Sequence, residues 1–229
     1  GHITLKAGLA MALNSAVDVK TASSGTISLD AEGGALTMHG SANLEATGSS
    51  LRVVGEANLT LGNLTATNVS VVSRAGAIIN AASSVKNVTA SNLRMEADDA
   101  IGTATRHLSL NVATLTALSV GTDSNGIYLT EDNAVTVNTV AVTVTDFNAD
   151  ASTTDVTDGA QADLTTGNNG NIVLVATDGD ITLNDGTTSN GTAISANGSG
   201  NVLVDALVGD VVANASIVST TGHITVKAG

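Results

Sequence analysis

Proline, cysteine and tryptophan are absent from this chain, and Tyr128 and Phe147 are its only aromatic residues. Each absence excludes something. Without cysteine there are no disulfides, thiol nucleophiles or thiolate metal sites. A large exported protein without cysteine also avoids mispaired disulfides, which fits a bacterial surface better than a small stapled secreted domain. Without aromatics a wide core has little to fill it, because each aromatic buries a large area. The core is therefore expected to be narrow and aliphatic. No run of eighteen apolar residues occurs, so no helical membrane span is expected.

Positive charge is missing from half of the chain. Residues 1–106 carry 8 acidic and 7 basic side chains, whereas residues 107–226 carry 13 acidic and none basic. The total is −13. Nucleic acid needs a cationic track, and anionic membrane surfaces need basic clusters, so neither is an expected partner. The acidity serves solubility or offers a divalent-cation surface.

What is present is patterned. Gly, Ala, Val, Thr, Asn and Ser dominate, and the mean hydropathy is positive, which argues against disorder. Short stretches alternate apolar and polar residues, as half-buried strands do. Their apolar pairs are Ile3/Leu5, Ile27/Leu29, Leu51/Val53, Val69/Val71, Leu93/Met95, Ile172/Leu174, Val202/Val204 and Ile224/Val226. These sixteen residues are the expected structural core, with Thr4, Ser28 and Val173 facing outward. Successive starts lie roughly 24 residues apart. Strands near Leu115 and Val140 would carry the phase between Leu93 and Ile172. Each interval divides into three short apolar runs separated by Gly, Asn and Asp, residues that accept tight corners.

Such a turn cannot bury its inner side alone, so turns must stack, strand on parallel strand. The expected fold is all-β: a right-handed parallel β-helix (β-solenoid) of about nine coils, with three short strands per coil. At ~4.8 Å per coil it would span about 43 Å.

The opening octapeptide GHITLKAG (1–8) recurs at 222–229 as GHITVKAG, a period of 221 residues (222 − 1). The expected organisation over 1–229 is one β-helix segment: a tandem unit, 1–221, followed by the first strand of the next, 222–229. An acidic stretch at 146–166 reads as a protruding loop.

GHITLKA (1–7), GTISLDA (25–31) and GNVLVDA (200–206) share a G-x-[IV]-x-[LV]-x-A pattern. This pattern resembles the filamentous-haemagglutinin-like repeats of large bacterial exoproteins and adhesins. The resemblance covers nearly the whole chain. It implies a right-handed β-helix, an extracellular or cell-surface location, and roles in adhesion, cell-to-cell contact or a biofilm matrix. It brings no catalytic residues and no cofactor.

The expected function is a structural rod: the stalk segment of a giant repetitive surface or secreted protein, without catalysis. Its partners would be neighbouring repeat units of the same chain or identical protomers, with cell-surface or matrix components as further contacts. Two alternatives stand beside it, a self-assembling filament protomer and a calcium-stiffened repeat. The calcium candidates are Asp178, Asp180 and Asp185 around GDITLND. The regular nonapeptide spacing of calcium-binding repeats is absent. An enzyme is not expected, because converging catalytic groups and aromatic sugar platforms are both missing.

Overall fold

The computed structural model describes residues 1–82, 84, 86–121 and 125–229. These residues form an all-β structure without an α-helix; one short 3-10 turn lies at Gly186–Thr188. In chain order the strands begin β1 (Ile3–Ala7), β2 (Met11–Leu13), β3 (Asp18–Thr21), β4 (Ile27–Ala31), β5 (Leu36–Met38) and β6 (Asn43–Gly55). Next come β7 (Leu59–Leu61), β8 (Asn63–Ser73), β9 (Ile78–Asn80), β10 (Val88–Ala97), β11 (Leu108–Ser119) and β12 (Ile127–Glu131). Then follow β13 (Val135–Val137), β14 (Val140–Phe147), β15 (Thr153–Gln161), β16 (Leu164–Thr166), β17 (Ile172–Ala176) and β18 (Ile181–Leu183). The last are β19 (Thr192–Ala196), β20 (Val202–Ala206), β21 (Val211–Ala213), β22 (Ser216–Ser219) and β23 (Ile224–Ala228).

All pairings between these strands are parallel, except that β14 and β15 form an antiparallel hairpin. The parallel pairs align like residues one above another. One column of inward side chains runs Leu5–Leu29–Val53–Val71–Met95–Ala117–Leu164–Ile194–Ile217. A second runs Met11–Leu36–Leu59–Ile78–Ile101–Ile127–Ile172–Val202–Ile224. A third begins Val19–Leu44–Leu64–Val88–Leu110. In β6, β8, β10 and β11 the third-column strand continues around its corner into the first-column strand of the next level. One contiguous cluster of buried aliphatics lies between the columns. The corners are tight: a side-chain carbon on Gly200 would collide with the carbonyl of Gly170, and one on Gly222 with that of Gly200. The first position of the repeat pattern is Gly because levels stack too closely there for a Cβ.

The columns differ from the expected phase in one respect. The strand starts do not share one column. Ile3, Ile27, Leu51, Val69, Leu93 and Leu115 belong to the first. Ile172, Val202 and Ile224 continue the second, reached through Ile101 and Ile127, while the far ends of the same strands, Ala176, Ala206 and Ala228, continue the third through Glu131 and Leu110. The change occurs at β11. One edge of β11 pairs β10 throughout, while the other meets β12, β13 and β16 in turn. Val140 carries no phase, because it opens the hairpin.

The expected core residues fall into two groups. Ile27, Leu29, Leu51, Val53, Val69, Val71, Leu93, Met95, Ile172, Leu174, Val202 and Val204 are buried. Ile3 is partly buried against the same cluster. Leu5, Ile224 and Val226 are 36%, 45% and 46% exposed. The reason is local: among the described residues β1 pairs only with β4 and β23 only with β20, so each has a stacked neighbour on one side alone.

Candidate functional site

The segment expected as an acidic loop at 146–166 is not a loop. Its residues belong to the β14–β15 hairpin, its turn and β16. The hairpin is inserted between β13 and β16 and folds back over the outer side of the first column. The outward row of that column is Thr4–Ser28–Arg52–Ser70–Arg94–Thr116, one residue per level. Six levels span about 24 Å, which an eight-residue strand such as β14 matches at ~3.4 Å per residue. The hairpin therefore lies along the row, across the strands beneath it.

Alternation decides which side of β14 faces down. Val140, Val142, Val144 and Asp146 are buried, while Ala141, Thr143 and Phe147 are exposed. Polar contacts mark the path. Gln161 Nε2 donates to the Met95 carbonyl and to Thr116 Oγ1, at 2.9 and 3.1 Å. Arg94 Nε donates to the Gly159 carbonyl at 3.0 Å. Arg52 Nε donates to both oxygens of Asp158, at 3.1 and 3.0 Å, and Ser70 Oγ donates to the same carboxylate at 2.6 Å. At the tip, the Thr145 amide donates to Thr26 Oγ1 at 3.0 Å and the Phe147 amide to Thr4 Oγ1 at 3.0 Å. Lys6 Nζ lies 3.1 Å from Asp146, and the His2 and Phe147 rings meet edge to face at 6.3 Å. Thus basic side chains of the charge-balanced first half of the chain meet the acidic second half along this seam.

The seam is imperfectly matched. Ser28 Oγ, Arg94 Nη1, Asp146 Oδ1 and Gln161 Oε1 are buried without a hydrogen-bond partner among the described residues, as is Asp163 Oδ1 just beyond the hairpin. Burial raises the Asp163 carboxyl, opposed by hydrogen bonds from Asn190 and Thr188. Ser28 is outward, as the alternation requires, but it is fully buried beneath the hairpin rather than solvated.

A second unusual carboxyl is Glu131. It ends β12, where the repeat pattern elsewhere places Ala31 or Ala206. Its parity in β12 is that of Ile127 and Leu129, and it is fully buried. Three backbone amides converge on it. The Val112 amide donates to both oxygens at 3.1 and 3.0 Å, and those of Asp132 and Asn133 donate to Oε1 at 3.0 and 3.3 Å. Burial nevertheless dominates and pushes the carboxyl up to about 7. Glu131 sits where β11 changes partners, and its carboxyl takes the Val112 amide, while the Asp132 amide is shared with the Leu110 carbonyl at 3.0 Å.

The calcium candidates do not converge. The Asp180 carboxylate accepts the Asp210 amide at 2.8 Å, and Asp185 accepts the amides of Asn190 and Gly191, each at 3.0 Å. They flank β18, which separates their backbones by about 16 Å at ~3.3 Å per residue. Calcium–oxygen bonds are ~2.3–2.6 Å. Asp178 lies in the exposed bend before β18. Among the described residues no group of three or more acidic or histidine side chains could hold a metal ion.

On the outer side of the second column, Asn171, Val173, Asn201, Leu203, His223, Thr225 and Lys227 line an open groove of about 450 Å³. No helix among the described residues is long and apolar enough to cross a membrane.

The alternation in VAVTVTDF (140–147) was a readable strand signal, and TTDVTDGAQ (153–161) is rich in β-favouring Thr. Arg52 and Arg94, at outward positions between small Ser and Thr residues, were the signal for a covering element. No family model, curated protein or solved structure matches the chain.

Proposed function

We propose that this chain is a rod-like structural segment of a large repetitive bacterial surface or secreted protein, built as a right-handed parallel β-helix. It serves as an adhesin stalk, a cell-contact element or a matrix component, and it performs no catalysis. The observation that supports this reading most is the in-register stacking of like aliphatics through two columns, with an octapeptide that recurs after 221 residues. A stack in which each level contacts only its neighbours extends by adding levels, which suits a long load-bearing element. The likeness of GHITLKA, GTISLDA and GNVLVDA to filamentous-haemagglutinin-like repeats points to the same role and to an extracellular setting.

A second reading, the self-assembling filament protomer, is favoured by the exposed apolar residues at the two ends of the stack. Leu5 and Leu9 lie at one, and Leu207, Val208, Val212, Val218, Ile224 and Val226 at the other. Imaging the native material separates the two. A continuous chain running through many units supports the stalk; protomer breaks at every unit support assembly. A compact particle with no axial repeat would overturn both.

A further inference from the structure

The octapeptide occurs in two settings within one molecule. As β1 it belongs to the first column and carries the hairpin tip on its outer side. As β23 it runs over the second and third columns, and its outer side is exposed. The residues that receive the tip are His2, against Phe147; Thr4, bonded to the Phe147 amide; and Lys6, paired with Asp146. Their counterparts, one period later, are His223, Thr225 and Lys227. These three line the open groove together with Val173 and Leu203. The groove is thus a second edition of the hairpin-tip seat.

The edges agree with the faces. β1 pairs GTISLDA above it, with Lys6 opposite Asp30. β23 pairs GNVLVDA below it, with Lys227 opposite Asp205 and its ammonium 3.2 Å from that carboxylate. A single GHIT[LV]KAG strand can make both pairings at once, because each uses the edge that the other leaves open. Its lysine would then stand between Asp205 of one unit and Asp30 of the next. The acidic second half of one unit would meet the half of its successor that carries the basic residues, and the exposed apolar ends would be covered.

We propose that in a tandem pair the first strand of the second copy occupies the place of β23, so that its hairpin tip, residues 145–152, held by its own His2, Thr4 and Lys6, covers the groove floor at Val173 and Leu203 of the first copy. The proposal rests on the rod reading above and adds a consequence. Because β1 is a first-column strand and β23 runs over the second and third columns, each unit is turned about the rod axis relative to the last, off the first face. Successive hairpins then wind around the rod instead of forming one ridge, and each tip crosses the joint onto its predecessor.

The test is a doubled chain, residues 1–221 followed directly by 1–229, which is free of native cysteine. The second copy carries Ala149→Cys in the hairpin turn. The first copy carries either Leu203→Cys, below Thr225 in the second column, or Val218→Cys on the outer side of the first column. Disulfides demand Cα atoms within about 7 Å, so oxidation reports which face the tip overlies. Small-angle X-ray scattering of each form reads its length. A doubled length with the 149–203 disulfide forming roughly ten-fold or more faster than 149–218 is the expected result. A doubled length with 149–218 equal or faster overturns the turn off the first face and leaves the rod intact. A length that does not double, with neither disulfide formed, overturns the docking proposal and the rod reading together.

Discussion

The two sides of the first column are built by different rules. Inward lies Leu5–Leu29–Val53–Val71–Met95, aliphatic at every level. Outward lies Thr4–Ser28–Arg52–Ser70–Arg94, polar at every level and covered by a hairpin from distant sequence. Both sides are largely dry, but they are dry for different reasons. The inward side excludes water because each side chain meets a like one above and below, and nothing there needs a partner. The outward side excludes water only while β14 and β15 stay down. Its polar groups must be matched one by one, and among the described residues Ser28 Oγ, Arg94 Nη1 and Asp146 Oδ1 have no partner. An unmatched buried polar group costs about 1–3 kcal/mol. Lifting the hairpin returns these groups to water, whereas opening the core exposes only apolar surface. The hairpin is therefore the weaker bond in the molecule, and the core should outlast it.

The sharpest break is a charge on the inward side. Leu29→Asp places a carboxylate among Leu5, Val53 and their neighbours, with no cation at an inward position to offset its desolvation. We expect a loss on the order of 3 kcal/mol or more. A thermal melt within a few degrees of the parent would refute the inward assignment.

Glu131 tests whether the inward side can ever hold a carboxyl. Its carboxyl is raised, by burial, from 4.5 to about 7. Between those values the folded protein keeps a proton that the unfolded chain has released. Stability is therefore highest below about pH 4.5 for this group, falls as pH rises to about 7, and is flat above. The linked loss is roughly 2–3 kcal/mol. Glu131→Gln keeps the shape and removes the titration. Urea melts at pH 5 and pH 7.5 should differ for the parent much more than for Glu131→Gln; equal differences would exclude Glu131 as the source.

On the outward side, Asp158 joins Arg52 and Ser70 to the hairpin. Asp158→Asn leaves the Arg52 guanidinium covered, and its one remaining ion pair among the described residues is a long contact of 3.8 Å to Asp30. A broken buried pair costs ~3–5 kcal/mol, but the hairpin can lift and hydrate the arginine, so about 2 kcal/mol is expected. The loss should fall on the hairpin. In hydrogen exchange, amides of 140–161 should open faster while those of β4, β6 and β8 keep their protection. A uniform loss of protection would mean that seam and core are one cooperative unit.

Much of this was legible before any coordinates. The alternation at Ile3, Ile27, Leu51 and Val69 marks inward residues, and the spacing of 24, 24 and 18 is the observed pairing register. Two things were not legible, for physical reasons. Periodicity reports which side of a strand is buried by its own stack, and it is silent about a second element covering the other side. Hence Ser28 reads as solvated. Periodicity also assigns no face: strand starts such as Leu93 and Ile172 look alike, and only the change of partners along β11 separates their columns. Glu131 was not singled out, because residues 125–131 depart from G-x-[IV]-x-[LV]-x-A at both the first and the last position, and its inward direction follows only from the parity of Ile127 and Leu129.

Ser28→Asp turns that blind spot into a measurement. On alternation alone the substitution belongs on a wet face and would cost less than about 1 kcal/mol. Under the hairpin the new carboxylate is buried, but Arg52 is its neighbour one level up, and the hairpin can rise to admit water. We expect about 1–2 kcal/mol, well below Leu29→Asp. Replacing 140–161 by a short Gly-Ser link should then reduce the cost of Ser28→Asp to nearly zero and leave that of Leu29→Asp unchanged. If the cost of Ser28→Asp survives removal of the hairpin, the covering element is not what buries this residue.

The smallest effect is expected from calcium. Asp178, Asp180 and Asp185 lie in the half of the chain without basic residues, so acidity alone would attract a cation there. The geometry works against a specific site. Asp180 and Asp185 already accept backbone amides and stand on either side of β18. Opening those bonds to gather three carboxylates would unmake two corners for one ion. Diffuse binding in high dielectric is worth little and is screened by salt. Adding EDTA at physiological ionic strength should therefore leave the melting temperature unchanged, and Asp180→Asn should melt the same with and without calcium. A calcium-dependent rise of several degrees that Asp180→Asn abolishes would show that the corners around β18 rearrange to bind the ion.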